Sequence, residues 1–158
     1  MLAAGAATRF GSPKQRLFLP AVLEALGASS VTDVVVVTGA YDVETEAHVV
    51  SCPEWERGPG ASLRCGLNAL AADADAAVIV LGDGPELDPR AVDRVVDAWR
   101  DGVGDRLAAT YDGRNRSHPV LLGRSAWGEV PDAGARALDV QLVDCADLPP
   151  PGDVDYPE

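Results

Sequence analysis

The sequence predicts an α/β fold: a mostly parallel β-sheet carrying helices on both faces. Three observations predict it. Strand-length apolar runs alternate with helix-length segments along the 158 residues. The runs at 34–37 and 76–81 are continuously apolar, as strands covered on both faces are. Glycine stands where each run leaves the sheet, at Gly39 and Gly82.

Each element follows from a local pattern. Residues 1–4 are apolar and enter a loop ending near Lys14. Residues 16–27 space Leu17, Val22, Leu23 and Leu26 as a helix does, with Gly27 as its stop. Residues 33–38 form a buried parallel strand, and 48–52 a short second one. After a loop at 53–60, Ser62 reads as the N-cap of a helix running to Leu70. Residues 76–81 form the clearest strand. Asp88-Pro89 then opens a helix with proline at its first position and Val92, Val95, Val96 and Trp99 on its apolar face. Weaker strands are expected at 107–111, 120–122 and 140–143. A single domain spanning 1–158 accommodates all of this.

Composition excludes several classes. Hydrophobic residues make up 47% and charged residues 24%, which is globular rather than disordered. No apolar run approaches the roughly 18 residues of a membrane span, and no secretory signal is visible. A cytoplasmic protein without a membrane partner is expected. The net charge of −12 repels nucleic acid. Against that background Arg9, Lys14 and Arg16 form a cationic cluster, with no acid between Met1 and Leu23. Cys52, Cys65 and Cys145 lack metal spacing and are expected to be reduced thiols, partly buried.

Ligands of parallel α/β sheets bind at the carboxyl ends of strands. The loop after the first strand reads Gly5-x-x-x-Arg9-x-Gly11-x-Pro13-Lys14. Glycine lets a phosphate approach the backbone, free amides donate to its oxygens, and the two cations neutralise it. The pattern is neither a Walker A loop nor G-x-G-x-x-G. Asp83, at the end of the best strand, reads from its residues alone as a turn aspartate before Gly84-Pro85, although an aspartate at such a position can also hold Mg²⁺.

LAAGAATRFGSPKQ resembles the signature of the MobA-like nucleotidyltransferases, which include the molybdenum cofactor cytidylyl- and guanylyltransferases. The resemblance implies a Rossmann-like three-layer α/β/α fold of the nucleotide-diphospho-sugar transferase type. It also implies a loop wrapped around a nucleoside triphosphate, with Arg9 and Lys14 on the phosphates and Leu2, Ala3, Ala4, Gly5 and Gly11 lining the nucleotide. CPEWERGPGASLRCGLNAL resembles the segment that sets a serine and leucine against the nucleotide, here Ser62 and Leu63. AVIVLGD, ending at Asp83, resembles the strand delivering the metal-binding aspartate; where the family carries Gln or Met next, residue 84 is Gly. SHPVLLG resembles the His-Pro-Val segment and makes His118 an acceptor contact; DVDYPE resembles the ending that supplies Asp155 as the second metal ligand. Compared with the family pattern the first strand is reduced to Met1-Leu2, an expected omission, and 13–34 and 41–49 are compressed.

The implied reaction is a Mg²⁺-dependent transfer of CMP from CTP to a phosphorylated acceptor, molybdopterin by resemblance, releasing pyrophosphate. The LAAG start and the His-Pro-Val segment favour the cytidylyl branch over the guanylyl one. Two alternatives remain at this stage. The acceptor could be a sugar phosphate or an isoprenoid precursor, or the chain could be a non-catalytic nucleotide binder serving a molybdoenzyme or its chaperone.

Overall fold

The computed structural model describes residues 1–4 and 14–152, with the side chains of residues 14–16 excepted. Among the described residues, seven strands and three α-helices build three layers. The strands are β1 (Leu2–Ala3), β2 (Val35–Thr38), β3 (His48–Ser51), β4 (Ala76–Ile79), β5 (Arg106–Thr110), β6 (Ser117–Gly123) and β7 (Gln141–Asp144). The helices are α1 (Lys14–Gly27), α2 (Pro59–Ala69) and α3 (Pro89–Arg100).

Strands β1, β2 and β3 pair in parallel, and β4, β6, β5 and β7 lie side by side in that order. Leu2 joins the two groups: its N–H donates to the Val80 carbonyl at 2.9 Å and its carbonyl accepts from Gly82 at 2.9 Å. Leu2 also forms a parallel bridge with Leu81. The expected parallel sheet is therefore present with one exception. Strand β6 runs antiparallel to both β4 and β5. The turn from β5 to β6 is too short for a crossover, so a hairpin is the only connection available.

Side chains alternate between the layers as the pleat requires. Val36, Val80 and Val92 pack with Leu19, Val22 and Leu26 of α1, and Leu107, Ala109 and Leu121 pack with Val95 and Val96 of α3. Ala77, Ile79, Ala108, Val120 and Leu122 face the opposite side, against Leu63 and Leu67 of α2. Thus α1 and α3 share one face and α2 covers the other.

Two helix details differ from expectation. Leu17 is 61% exposed, and Leu19 takes its place on the inner face of α1 with Val22 and Leu26. Leu19, Val22 and Leu26 stand at i, i+3, i+7 and so share one helical face, from which Leu17 points away. In α3 the expected start is present: the Asp88 carboxylate accepts from the Arg90 N–H at 2.9 Å, with Pro89 in the first turn. Among the described residues, no helix is long and apolar enough to cross a membrane.

Candidate functional site

Strands β1, β2 and β4 run parallel, so their carboxyl ends meet at one edge of the sheet. The antiparallel β6 brings its first residues to that same edge. Register makes this specific. Ile79 lies opposite Val120, so the residues that follow β4 and those that precede Val120 leave the sheet at the same edge, where Asp83 and His118 line one pocket.

On one side of this edge lie the residues expected around a nucleotide. Ala3 and Ala4 are buried at the end of β1, with Leu2 half-buried before them. Gly39 ends β2 in close quarters: a Cβ there would stand 2.6 Å from the Trp55 Cβ and 3.0 Å from the Ala4 Cβ. Glycine is what lets the Trp55 turn close against β1 and β2. Ser62 and Leu63 are buried at 3% and 4% exposure. The expected N-cap role of Ser62 does not hold. Helix α2 starts at Pro59 with Gly58 as its cap, so Ser62 lies inside the first turns. Proline at the first position sets the start earlier than the serine does.

The start of α2 is fixed from across the molecule. Gly60 donates its N–H to the Asp132 carbonyl at 2.9 Å, and a Cβ on Gly60 would overlap the Pro131 carbonyl. Arg64 donates to the Val130 carbonyl at 2.9 Å and pairs with the Asp132 carboxylate, which also meets Arg57. Sequence reasoning missed this tie, because its partners stand some 70 positions apart.

On the other side of the edge opens a pocket of about 500 Å³. Asp83, Gly84, Arg116, His118 and Arg136 line it among apolar walls, with Pro150, Pro151 and Gly152 along one rim. His118 is held neutral: burial pulls its pKa down to about 4, the negative Asp83 opposes this, and the positive Arg116 adds to it. The Tyr111 hydroxyl donates to the His118 carbonyl at 2.8 Å. Gly84 acquires a packing reason here. A Cβ on it would lie 3.2 Å from the Pro151 Cβ and 3.4 Å from the Gly152 carbonyl, so the segment at 150–152 occupies the space of a side chain.

The structure thus brings Asp83 and His118 to one pocket, with Leu2, Ala3, Ala4, Ser62 and Leu63 in the half of the sheet edge and its covering helix where a nucleotide is expected. Gly5, Arg9, Gly11 and Asp155 lie outside the described residues, as does the side chain of Lys14, whose backbone opens α1. Among the described residues no group of three or more His, Cys, Asp and Glu converges as a metal cage. Magnesium does not require one, since it commonly takes one or two carboxylates and completes its shell with water and phosphate. Asp83 fits that donor set. Arg116 and Arg136 are pocket residues that sequence reasoning did not select. Their only signal was that they are cations in an acidic chain, Arg116 two positions before His118.

The expectation of three reduced thiols is corrected for two of them. Cys52 and Cys65 form a disulfide with Cα atoms 5.9 Å apart. The pairing is tertiary in origin. Cys52 extends β3, its N–H donating to the Thr38 carbonyl at 2.8 Å, and α2 carries Cys65 across that strand end. Cys145 is a free, buried thiol whose pKa burial pushes upward.

Comparison with known proteins agrees with this layout. Among curated proteins, none matches the chain. Among solved structures, Rv0371c from Mycobacterium tuberculosis H37Rv is 24% identical, with 90% of this chain and 83% of that one covered and a TM-score of 0.74. A second structure described as Rv0371C in complex with manganese is 22% identical, covers 99% and 88%, and has a TM-score of 0.67. A molybdopterin-guanine dinucleotide biosynthesis protein A from Archaeoglobus fulgidus is 19% identical, covers 81% and 68%, and has a TM-score of 0.59. These likenesses establish the Rossmann-like α/β nucleotidyltransferase fold. A sequence model of the MobA-like NTP transferase domain matches residues 1–142. With nine-tenths of its length matched, the chain belongs to the MobA-like NTP transferase domain family.

Proposed function

We propose that the protein transfers CMP from CTP to a phosphorylated acceptor, molybdopterin in the first instance, and releases pyrophosphate. The observation that carries this reading is the position of Asp83. It stands at the sheet's carboxyl edge, in the lining of a pocket large enough for a second substrate, near the β1 end.

The residues divide the work. Arg9 and Lys14 neutralise the triphosphate while the Gly5 and Gly11 region gives its phosphates access to backbone amides. Leu2, Ala3, Ala4, Ser62 and Leu63 wall the nucleotide. Asp83 and Asp155 hold Mg²⁺, which when bound supplies charge neutralisation at the phosphates. Gly152 ends the described chain beside Gly84. Three further residues span at most about 10 Å, a length that permits Asp155 to meet Asp83. His118, neutral at pH 7, orients the acceptor by hydrogen bonding rather than by charge.

An acceptor phosphate oxygen then attacks the α-phosphorus as the bond to pyrophosphate breaks. Positioning and charge neutralisation suffice for such a step, and no protein nucleophile is needed. The alternative of a non-catalytic nucleotide binder drew on glycine at position 84 and on the compressed segments. The packing of 150–152 against Gly84 gives that residue a structural reason, so of the two grounds only the compressed segments still speak for that alternative.

The test is a pyrophosphate-release assay with Mg²⁺, molybdopterin as acceptor and each of CTP, GTP, UTP and ATP, alongside thermal shifts with the same nucleotides. CTP should give the largest rise in melting temperature, since a ligand binding only the folded state stabilises it. A preference for GTP would move the protein to guanylyl transfer. No response to any triphosphate would remove the nucleotidyltransferase reading.

A further inference from the structure

The pocket beside Asp83 has an unusual charge balance for this chain. Acidic residues outnumber basic ones 25 to 13 overall. Yet two of the pocket's charged residues are arginines, Arg116 and Arg136, against one acid, Asp83. Among the described residues neither guanidinium forms an ion pair with a carboxylate.

Arg116 spends its donors on backbone. Its Nη1 donates to the Leu138 carbonyl at 2.6 Å and reaches the Arg136 carbonyl at 3.5 Å, and its Nη2 donates to the Ala135 carbonyl at 2.9 Å. Three carbonyls of one short segment therefore converge on one guanidinium. The segment includes a single 3₁₀ turn, Ala135–Ala137, which has little hydrogen bonding of its own. Gly134, at φ +86°, lets the chain turn into it. Arg136 is exposed at the pocket rim, on the segment that Arg116 holds. Apart from Ser117 and His118, the remaining walls, including Val80, Leu81, Leu87, Val120 and Pro150, are apolar.

We infer that Arg136 is the anion-binding residue of this pocket, that Arg116 is the positioning residue that holds it there, and that the ligand is a phosphate monoester on an apolar body. A guanidinium at the rim suits a phosphate, for which it offers paired donors, and leaves the ester's carbon skeleton to the apolar walls. A volume of about 500 Å³ is within the usual range of small-molecule sites. Arg116 adds its charge to the field without touching the ligand. That the ligand is the acceptor rests on the nucleotidyl-transfer reading; that the pocket binds it does not.

The experiment is a calorimetric titration of the full chain with phenyl phosphate, with phenol as the uncharged control. Wild type should bind phenyl phosphate saturably and phenol at least about tenfold more weakly. Arg136→Ala should lose about tenfold or more in affinity, and Arg136→Lys should recover part of it. Arg116→Lys, which keeps the charge but not the three-carbonyl grip, should weaken phenyl phosphate binding while leaving the melting temperature nearly in place. Affinity unchanged in Arg136→Ala would overturn the proposal, since phosphate bound only by Arg9 and Lys14 gives that result. Absence of saturable binding to wild type, or equal binding of phenol, would overturn it too. CTP affinity, measured in parallel, separates the two readings. If CTP fails to bind while phenyl phosphate depends on Arg136, the nucleotidyl-transfer reading falls and this one stands.

Discussion

The Glu86 N–H donates to the Pro151 carbonyl at 2.9 Å, tying the loop after Asp83 to the segment at 150–152. With Gly84 packed beneath Pro151, this bond makes the late segment part of the site's wall.

A side chain at position 84 should therefore act on the second substrate rather than on the nucleotide. Gly84→Gln introduces atoms where Pro151 and the Gly152 carbonyl stand, and these must move aside. Pyrophosphate release should fall by about tenfold or more, while CTP affinity by calorimetry stays within about twofold. A large loss of CTP affinity would mean that residue 84 belongs to the nucleotide half.

His118 should make stability pH-dependent in a defined window. Its folded pKa, about 4, lies below the unfolded value of 6.5. Between these values the unfolded chain binds a proton that the folded one does not. Stability from this group is thus complete above pH 6.5 and declines as pH falls toward 4. The loss should be about 2–3 kcal/mol, given the imidazole's partial exposure. Urea unfolding at pH 7 and pH 4.5 measures it, and His118→Gln should flatten the difference.

The disulfide should be readable chemically. Under non-reducing conditions alkylation should label Cys145 alone after unfolding, and all three cysteines after reduction. Closing a loop of this length stabilises a chain by about 3 kcal/mol in the chain-entropy account. Cys52→Ala with Cys65→Ala should lower the urea midpoint accordingly and abolish its response to dithiothreitol. Labelling of three thiols without reductant would show that the bond is not made.

Lys14→Ala and Asp83→Asn should fail in different ways. Loss of the lysine removes charge-assisted hydrogen bonds to phosphate, typically about 1.5–3 kcal/mol, so CTP affinity should drop tenfold or more. Asp83→Asn should abolish turnover yet keep metal-independent CTP binding, because Arg9 and Lys14 remain. Identical effects in the two variants would merge the roles proposed for them.

What the sequence revealed and what it hid follow from the range of the interactions involved. Continuous apolar runs located β2 and β4, and a proline with its preceding aspartate located α3, because each signal lies within a few residues. Strand β6 was foreseen only as its apolar middle, 120–122, since Ser117 and His118 carry no strand pattern. Its antiparallel direction depends on the brevity of the preceding turn, and that direction is what brings His118 toward Asp83. The Cys52–Cys65 bond, the Arg64–Asp132 pair and the grip of Arg116 on residues 135–138 all arise when distant elements pack. Spacing along the chain gives no sign of them. Ser62 shows the limit of a local rule: a serine suited to capping lost that position to a proline three residues earlier.

The turn between β5 and β6 is organised by its own aspartate. Asp112 accepts from the N–H groups of Arg114 and Asn115 and from the Asn115 side-chain amide, and meets the Thr110 hydroxyl at 3.2 Å. Residues 112–115 of the tip are exposed and organised by that aspartate, while Arg116, the last residue before β6, ties the turn's last position to the segment at 135–138. Changes of length or residue in this tip can reshape the pocket wall while the sheet and α2 stay as they are. On the nucleotidyl-transfer reading proposed above, that arrangement would let the choice of acceptor drift over evolutionary time independently of the nucleotide, so that descendants of one chain could come to serve chemically different partners.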